Sequence, residues 1–214
     1  LIYDCPVDTA DIARLLEPFI HLDEQRLSAI SRYIDLLLKW NARINLTAVR
    51  APEEMVQRHF GESFFAARHL LAEGTVERAI DLGSGAGFPG VPLALLTPGT
   101  RVTLIESNQK KATFLRELVR VLELKSVEIF SGRGEEYSEQ ADLVTMRAVE
   151  KFGQALDVAA GLVKAGGRIA LMIGEAQVSE AVRVLPKIEW RQPISVPGGH
   201  SRVLLAGIKG VKVE

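Results

Sequence analysis

The chain has 214 residues, 47% hydrophobic and 25% charged, with a formal net charge of −1, the composition of a globular protein long enough to bury a core. This charge excludes a global pull toward nucleic acid or anionic membrane, so any basic surface must be local. One cysteine, Cys5, excludes an internal disulfide, four scattered histidines give no metal-ligand spacing, and no apolar run reaches the ~18 residues of a membrane span.

The first residues, "LIYDCPVD", lack the basic-then-apolar pattern of a secretory signal, and a start at Leu1 is expected of a trimmed chain. With the single cysteine this points to a reducing, cytoplasmic setting; no membrane partner is expected, and a monomer is. Residues 1–73 read as a helical region. Leu27, Ile30, Ile34, Leu37 and Leu38 fall three or four apart, Asp23 is placed to cap their helix, and Leu22 and Leu27 to staple its start. Pro52, a good first-turn residue, opens a further helix to about Leu71.

From residue 74 to 214 the texture changes. "VERAIDL", "RVTLIES", "SVEIFSG", "ADLVTMR" and "GRIALMI" are short and β-rich, with amphipathic segments near 89–96, 109–123, 151–163 and 175–184 between them. Such alternation predicts a mostly parallel sheet with helices on both faces. "EWRQPISVP" and "SRVLLAGIK" leave no room for a helix between them and pair as a hairpin, which makes one edge strand antiparallel.

The most informative stretch is "AIDLGSGAGFPGVPLALL", residues 79–96. Gly85, Gly87 and Gly90 satisfy the dinucleotide pattern G-x-G-x-x-G, while Gly83, Gly85 and Gly87 satisfy a tighter G-x-G-x-G preceded by an acid, Asp81. An ordinary strand-to-helix turn is the plain alternative. A carboxylate at Asp81 would oppose a pyrophosphate, which prefers bare amides at a helix N-terminus, but suits the sulfonium and ammonium of S-adenosylmethionine. Glycines let the backbone of this turn approach a ligand without Cβ clashes. Glu106 ends the next strand, where a carboxylate accepts hydrogen bonds from ribose hydroxyls. The two acids together favour an adenosyl cofactor, with Asp81, Gly83, Ser84, Gly85, Gly87 and Glu106 as its candidate contacts; NAD remains an alternative because Glu106 suits either ribose.

"KWNARINLTAVR" (39–50), "RHFGES" (58–63), "DLGSGAGFPGVPLAL" (81–95), "RGEE" (133–136) and "MRAV" (146–149) stand in this order along nearly the whole chain. They closely resemble the bacterial GidB/RsmG family, ribosomal RNA methyltransferases of the small subunit that act on N7 of a guanine. The resemblance implies a class I (Rossmann-like) methyltransferase fold in residues 74–214, with an antiparallel C-terminal edge hairpin and residues 1–73 as a helical extension. It implies cofactor contacts at Gly83, Phe88, Gly134, Glu135 and Arg147, with Glu106 as the ribose acid. Arg147 and His59 become the candidate catalytic residues, and 16S ribosomal RNA or the small subunit the partner. Lys39, Arg43, Asn45, Arg50, Arg58, His200 and Arg202 are the candidate RNA contacts, although basic residues on helices are as often simply solvated. One departure stands out: the family's lysine before the glycine after the fifth strand is Ile173 here, leaving Arg202 or Lys151 to supply a cation. N7 of guanine carries a free lone pair and loses no proton on methylation, so no general base is expected. A methyltransferase of the same architecture acting on another RNA, a protein or a small molecule is the competing reading.

Overall fold

The computed structural model describes residues 7–149, 151–199 and 201–211; Cys5 and the expected RNA contact His200 lie outside the described residues. Helix α1 (Thr9–Leu16) is capped by Asp8, whose carboxylate accepts the Asp11 N–H at 2.7 Å. Helix α2 (Glu24–Asn41) is capped as expected by Asp23, which accepts the Arg26 N–H at 2.8 Å, and it buries Ile30, Tyr33, Ile34 and Leu37. The helix expected from Pro52 to Leu71 is continuous but not uniform. It begins as α3 (Pro52–Met55), widens to a π-helical segment over Val56–Gly61, and continues as α4 (Glu62–Leu71).

Among the described residues eight strands follow: β1 (Arg78–Leu82), β2 (Arg101–Ile105), β3 (Val127–Phe130), β4 (Ala141–Arg147), β5 (Val163–Gly174), β6 (Ile188–Trp190), β7 (Ile194–Ser195) and β8 (Arg202–Lys209). Helices α5 (Gly90–Leu96), α6 (Gln109–Val121), α7 (Phe152–Leu162) and α8 (Val178–Val184) are interleaved with them. The sheet order is β3-β2-β1-β4-β5-β8-β6, with β7 also paired to β8. Strands β1 to β5 are parallel, and β8 runs antiparallel to β5, β6 and β7. The C-terminal hairpin therefore forms, with β8 lying inside the sheet and the short β6 taking the edge.

Both faces of the sheet are covered, and the strands show why their apolar runs are nearly continuous. Along β5, Ala170 and Met172 join one core cluster while Ile169, Leu171 and Ile173 join the other. The first cluster runs from Ile12 and Leu37 through Phe60 and Phe114 to Leu104 and Ala206, so the N-terminal helices share a core with α5, α6 and the sheet. The second lies under α7 and α8. Strand order reverses between β1 and β4, and in open α/β sheets the crevice at the carboxyl ends of such neighbours is where ligands bind.

Candidate active site

At that crevice lies a cleft of about 850 Å³, within the roughly 300–1,000 Å³ of pockets that enclose a small organic ligand. The glycine turn forms one wall. Its first amides, Gly83 and Ser84, both donate to the Ile105 carbonyl (2.9 and 3.0 Å), which carries the strand pairing into the turn. Gly83 and Gly85 have φ of +71° and +56°, the left-handed region that disfavours side chains. A Cβ on Gly85 would meet nothing closer than the Gly83 carbonyl at 3.8 Å, so that backbone faces open cleft. Gly90 serves packing instead, since a Cβ there would lie 2.5 Å from Leu104 and 2.7 Å from Asp81.

The two acids divide their work. Glu106 lines the cleft with its carboxylate fixed from both sides: Oε2 accepts the Gly85 N–H and Oε1 the Asn108 N–H, each at 2.8 Å. Its remaining lone pairs are available to hydroxyl donors. Asp81 is buried behind the turn and does not line the cleft. Its Oδ2 accepts the Gly90 N–H at 3.1 Å and its Oδ1 the Thr145 hydroxyl at 2.8 Å. Burial pushes Asp81 up to about 6. Direct contact with a cationic ligand, expected at Asp81, is thus replaced by bracing of the turn and the start of α5. Gly87, also absent from the cleft lining, abuts Tyr33, whose hydroxyl would lie 2.5 Å from a Cβ there.

Phe88 sits between two rings. Tyr33 stacks on one side (5.1 Å, 5° interplanar) and His59 on the other (4.9 Å, 29°), with Phe60 edge-on at 5.0 Å. The Tyr33 hydroxyl donates to the Ala86 carbonyl, so α2 braces the turn directly. Across the cleft lie Gly134 and Glu135. Gly134 is packed so closely that a Cβ would meet Leu82 at 2.6 Å and Val158 at 2.7 Å.

Arg147, at the end of β4, is held in place. Its Nη2 donates to the Arg58 carbonyl at 2.7 Å, lies 3.3 Å from His59 Nδ1 and pairs with Glu62 Oε2 at 3.2 Å. Arg202 Nη2 meets the other Glu62 oxygen at 2.5 Å. Burial outweighs these attractions at both partners, raising Glu62 and lowering Arg147 from their ordinary values. His59 Nε2 lies 2.7 Å from the Thr47 hydroxyl. Because Arg147 can only donate, Nδ1 accepts and Nε2 carries the proton. Burial, then the charges of Arg147 and Arg58, push His59 down to about 3. Both ring nitrogens have partners and burial keeps the ring neutral, and His59 lines the cleft beside Arg147. The loop after β4 carries further constraint, with Ala148 and Lys151 at φ of +49° and +51°; both line the cleft.

The remaining wall is the connection from α2 to α3. Leu46, Thr47, Ala48 and Val49 line the cleft, held by the buried Asn41, whose Oδ1 accepts the Leu46 and Thr47 N–H groups (2.9 and 3.0 Å) and whose Nδ2 donates to the Thr47 carbonyl (3.0 Å). Lys39, Arg43, Asn45 and Arg50 are exposed, and none of the four lines the cleft. Arg58 is exposed, paired with Glu54 at 2.7 Å, and lines the cleft. Arg202 is half-buried in its pair with Glu62. Sequence reasoning missed Glu62, Tyr33 and Asn41; Glu62 lies inside "RHFGES", between Phe60 and the apolar pair Phe64 and Phe65, all of them buried. Among the described residues no cluster of His, Cys, Asp and Glu could hold a metal.

A family model described as GidB, rRNA small subunit methyltransferase G, matches residues 26–197. Proteins named Ribosomal RNA small subunit methyltransferase G are 40% identical over 197 residues in Xylella fastidiosa (90% of each chain) and 37% identical over 203 residues in Roseiflexus castenholzii (89% of this chain, 86% of that one). In architecture the chain is similar to a ribosomal protein L11 methylase from Lactobacillus delbrueckii subsp. bulgaricus, with a TM-score of 0.61 at 11% identity over 72% of this chain and 79% of that one.

Proposed function

This chain belongs to the family of ribosomal RNA small subunit methyltransferase G, and on that premise we propose that it is an S-adenosylmethionine-dependent enzyme that methylates N7 of a guanine in 16S ribosomal RNA. The observation that carries this reading is the Glu106 carboxylate, pinned by the Gly85 and Asn108 amides at the foot of a bare glycine turn and open to the cleft. That arrangement fits an adenosyl group. The turn offers backbone without Cβ at Gly85, the carboxylate offers lone pairs to a ribose, and Gly134 and Glu135 close the opposite side.

When bound, S-adenosylmethionine supplies a methyl group on an electrophilic sulfonium. The chain's own residues have to align the acceptor, exclude water and leave N7 unprotonated. No side chain has to take a proton, which agrees with a neutral, fully bonded His59 beside a guanidinium that stays protonated. Arg147 is the residue that faces both cofactor cleft and acceptor, and His59 and Glu62 hold it. Asp81 and Gly87 act from behind the turn. RNA engages the wall built from residues 1–73 through Lys39, Arg43, Asn45, Arg50 and Arg58, joined by His200 and by Arg202 of β8. Residues 74–214 hold the cofactor, and the protein acts as a monomer. No helix among the described residues is long and apolar enough to cross a membrane.

The test is transfer of labelled methyl groups to isolated small-subunit RNA, to assembled subunits and to total protein, followed by nuclease digestion of the product. Label in 7-methylguanine is expected. Label confined to protein or a metabolite would favour the competing methyltransferase reading.

A further inference from the structure

Behind Arg147 lies a second, smaller cavity of about 210 Å³. It is below the roughly 300–1,000 Å³ of sites that enclose a drug-sized ligand, so it suits a single ring system rather than a whole nucleotide. Met146, Phe152, Met172, Ile173, Val196 and Val203 give it apolar walls, and Arg58, Glu62, Arg147 and Arg202 a polar end. It shares Arg58, Arg147, Ala148 and Val149 with the large cleft.

The polar end is unfinished. Arg147 Nη1 and Arg202 Nε are buried and have no hydrogen-bond partner among the described residues. Both are obligate donors, and buried polar groups in folded proteins are normally satisfied, so this end calls for an acceptor. The other Arg147 terminal nitrogen is already committed to the Arg58 carbonyl, His59 and Glu62. The fork that uses this nitrogen is therefore taken, and Nη1 is the buried nitrogen left to meet an acceptor.

We propose that this cavity holds the acceptor guanine, turned out of the RNA stack, with Arg147 Nη1 and Arg202 Nε reading its C6 carbonyl. The inference rests on the proposed RNA methyltransferase activity and deepens it. Guanine carries O6 and N7 side by side as acceptors, whereas adenine places an amino donor at C6. A carbonyl at O6 completes the two orphaned donors; an amino group there would face them. Because Arg147 lines both cavities, a base whose O6 meets these donors lies beside the large cleft, and the reaction requires that its N7 be left without a donor. A full bidentate grip on O6 and N7, the commonest arginine–guanine contact, would block the atom to be methylated. The apolar walls accept the base faces, as in enzymes that act on extruded bases. Ile173 is one of them, so the position of the family lysine is used here for packing.

The experiment measures binding of guanosine, inosine and adenosine to the full chain with the large cleft filled by saturating S-adenosylhomocysteine. Guanosine and inosine, which share the C6 carbonyl, are expected to bind at least about tenfold tighter than adenosine. Arg202→Lys keeps the charge beside Glu62 but lacks Nε–H, and should reduce that preference to within about twofold while S-adenosylhomocysteine affinity is unchanged; Arg147→Lys, read on the ratio of guanosine to adenosine binding alone, is the second variant if the first does not fold. Equal binding of guanosine and adenosine by the wild type, or a wild-type preference in a folded Arg202→Lys, overturns the proposal. Methylation of ribosomal RNA by the wild type is scored separately. Its absence beside a retained guanosine preference would overturn the RNA acceptor and keep the guanine pocket.

Discussion

The guanidinium of Arg147 is fixed by three partners on the helix that runs from Pro52 to Leu71: the Arg58 carbonyl, His59 and Glu62. A lysine has one point of charge and cannot keep these contacts while presenting a further donor. Arg147→Lys should retain the fold and slow methyl transfer tenfold or more, about 1.4 kcal/mol of barrier; single-turnover rates at saturating cofactor measure this, and a fully active variant would falsify the role. Glu106→Gln keeps the shape of the side chain but removes its charge, and should weaken S-adenosylmethionine binding by about 1.5–3 kcal/mol. Calorimetry reads that difference, and wild-type affinity would remove Glu106 from the site. His59 sets the pH behaviour. Its folded value of about 3 lies below its ordinary 6.5, so between these pH values the unfolded chain binds more protons and stability falls as pH falls. Asp81, pushed up to about 6 from 3.8, contributes in the opposite sense: the folded chain binds the extra proton, and its contribution grows as pH falls from about 6 to 4. Comparing wild type with His59→Gln isolates the first effect. The wild type should lose ground to the variant below pH 6.5 by at most about 1.4 kcal/mol per unit, less because the ring is only partly buried, while methyl transfer stays flat from about pH 6.5 to 8.5. A steep activity profile in that range would return His59 to a proton-transfer role.

At the scale of elements, the glycine turn is braced from outside the sheet, because the fully buried Tyr33 of α2 donates to Ala86 and stacks on Phe88. Tyr33→Phe keeps the stack and leaves the Ala86 carbonyl without that donor. A loss of about 1–3 kcal/mol is expected, or roughly 2–4 °C in Tm for each kcal/mol in a chain of this size; thermal unfolding with and without S-adenosylhomocysteine checks it, and an unchanged Tm would show the turn to be self-supporting. The turn itself and the strands and helices around it were legible because they depend on neighbours in sequence: glycine at positive φ, an acid at each strand end, apolar runs between turn signals. The Asp23 cap was legible for the same reason. The orientation of Asp81 was not, since one step of strand register decides whether a side chain faces the cleft or α5, and the pattern around it is apolar on both sides. Nor was the π-helical widening at Val56–Gly61, because hydrophobic spacing of three and four residues reads the same with one extra residue in a turn. That widening places Arg58 and His59 at the cleft, in line with the tendency of such segments to occur at functional sites. Glu62 escaped because its partners come from β4 and β8, far away in the chain.

For the whole molecule, the decisive feature is that the N-terminal helices share one core cluster with the sheet. The wall they build beside the cleft is therefore a fixed surface, and the exposed Arg43 and Arg50 flank the four residues, Leu46 to Val49, that line the cleft from this side. With a net charge of −1 the chain has no overall attraction for a polyanion, so the RNA surface has to be a local concentration of cations, and this wall is the one proposed. Each phosphate neutralised releases condensed counterions, giving a slope of log affinity against log salt of about −0.7 per contact for single strands and −0.9 for duplex. Replacing Arg43 and Arg50 together by Gln should therefore flatten the slope for small-subunit RNA by roughly 1.4–1.8 if each meets one phosphate. Because neither lines the cofactor cleft, S-adenosylmethionine affinity should hold, and because both are exposed, stability should change by less than about 0.5 kcal/mol. Filter binding across a salt series, with calorimetry of the cofactor in parallel, separates the outcomes. A flattened slope with unchanged cofactor affinity assigns phosphate contacts to this wall. An unchanged slope moves the RNA to the other rim of the cleft, where Lys151 and Arg133 are exposed and line it, and the same double replacement at those two positions should then carry the effect.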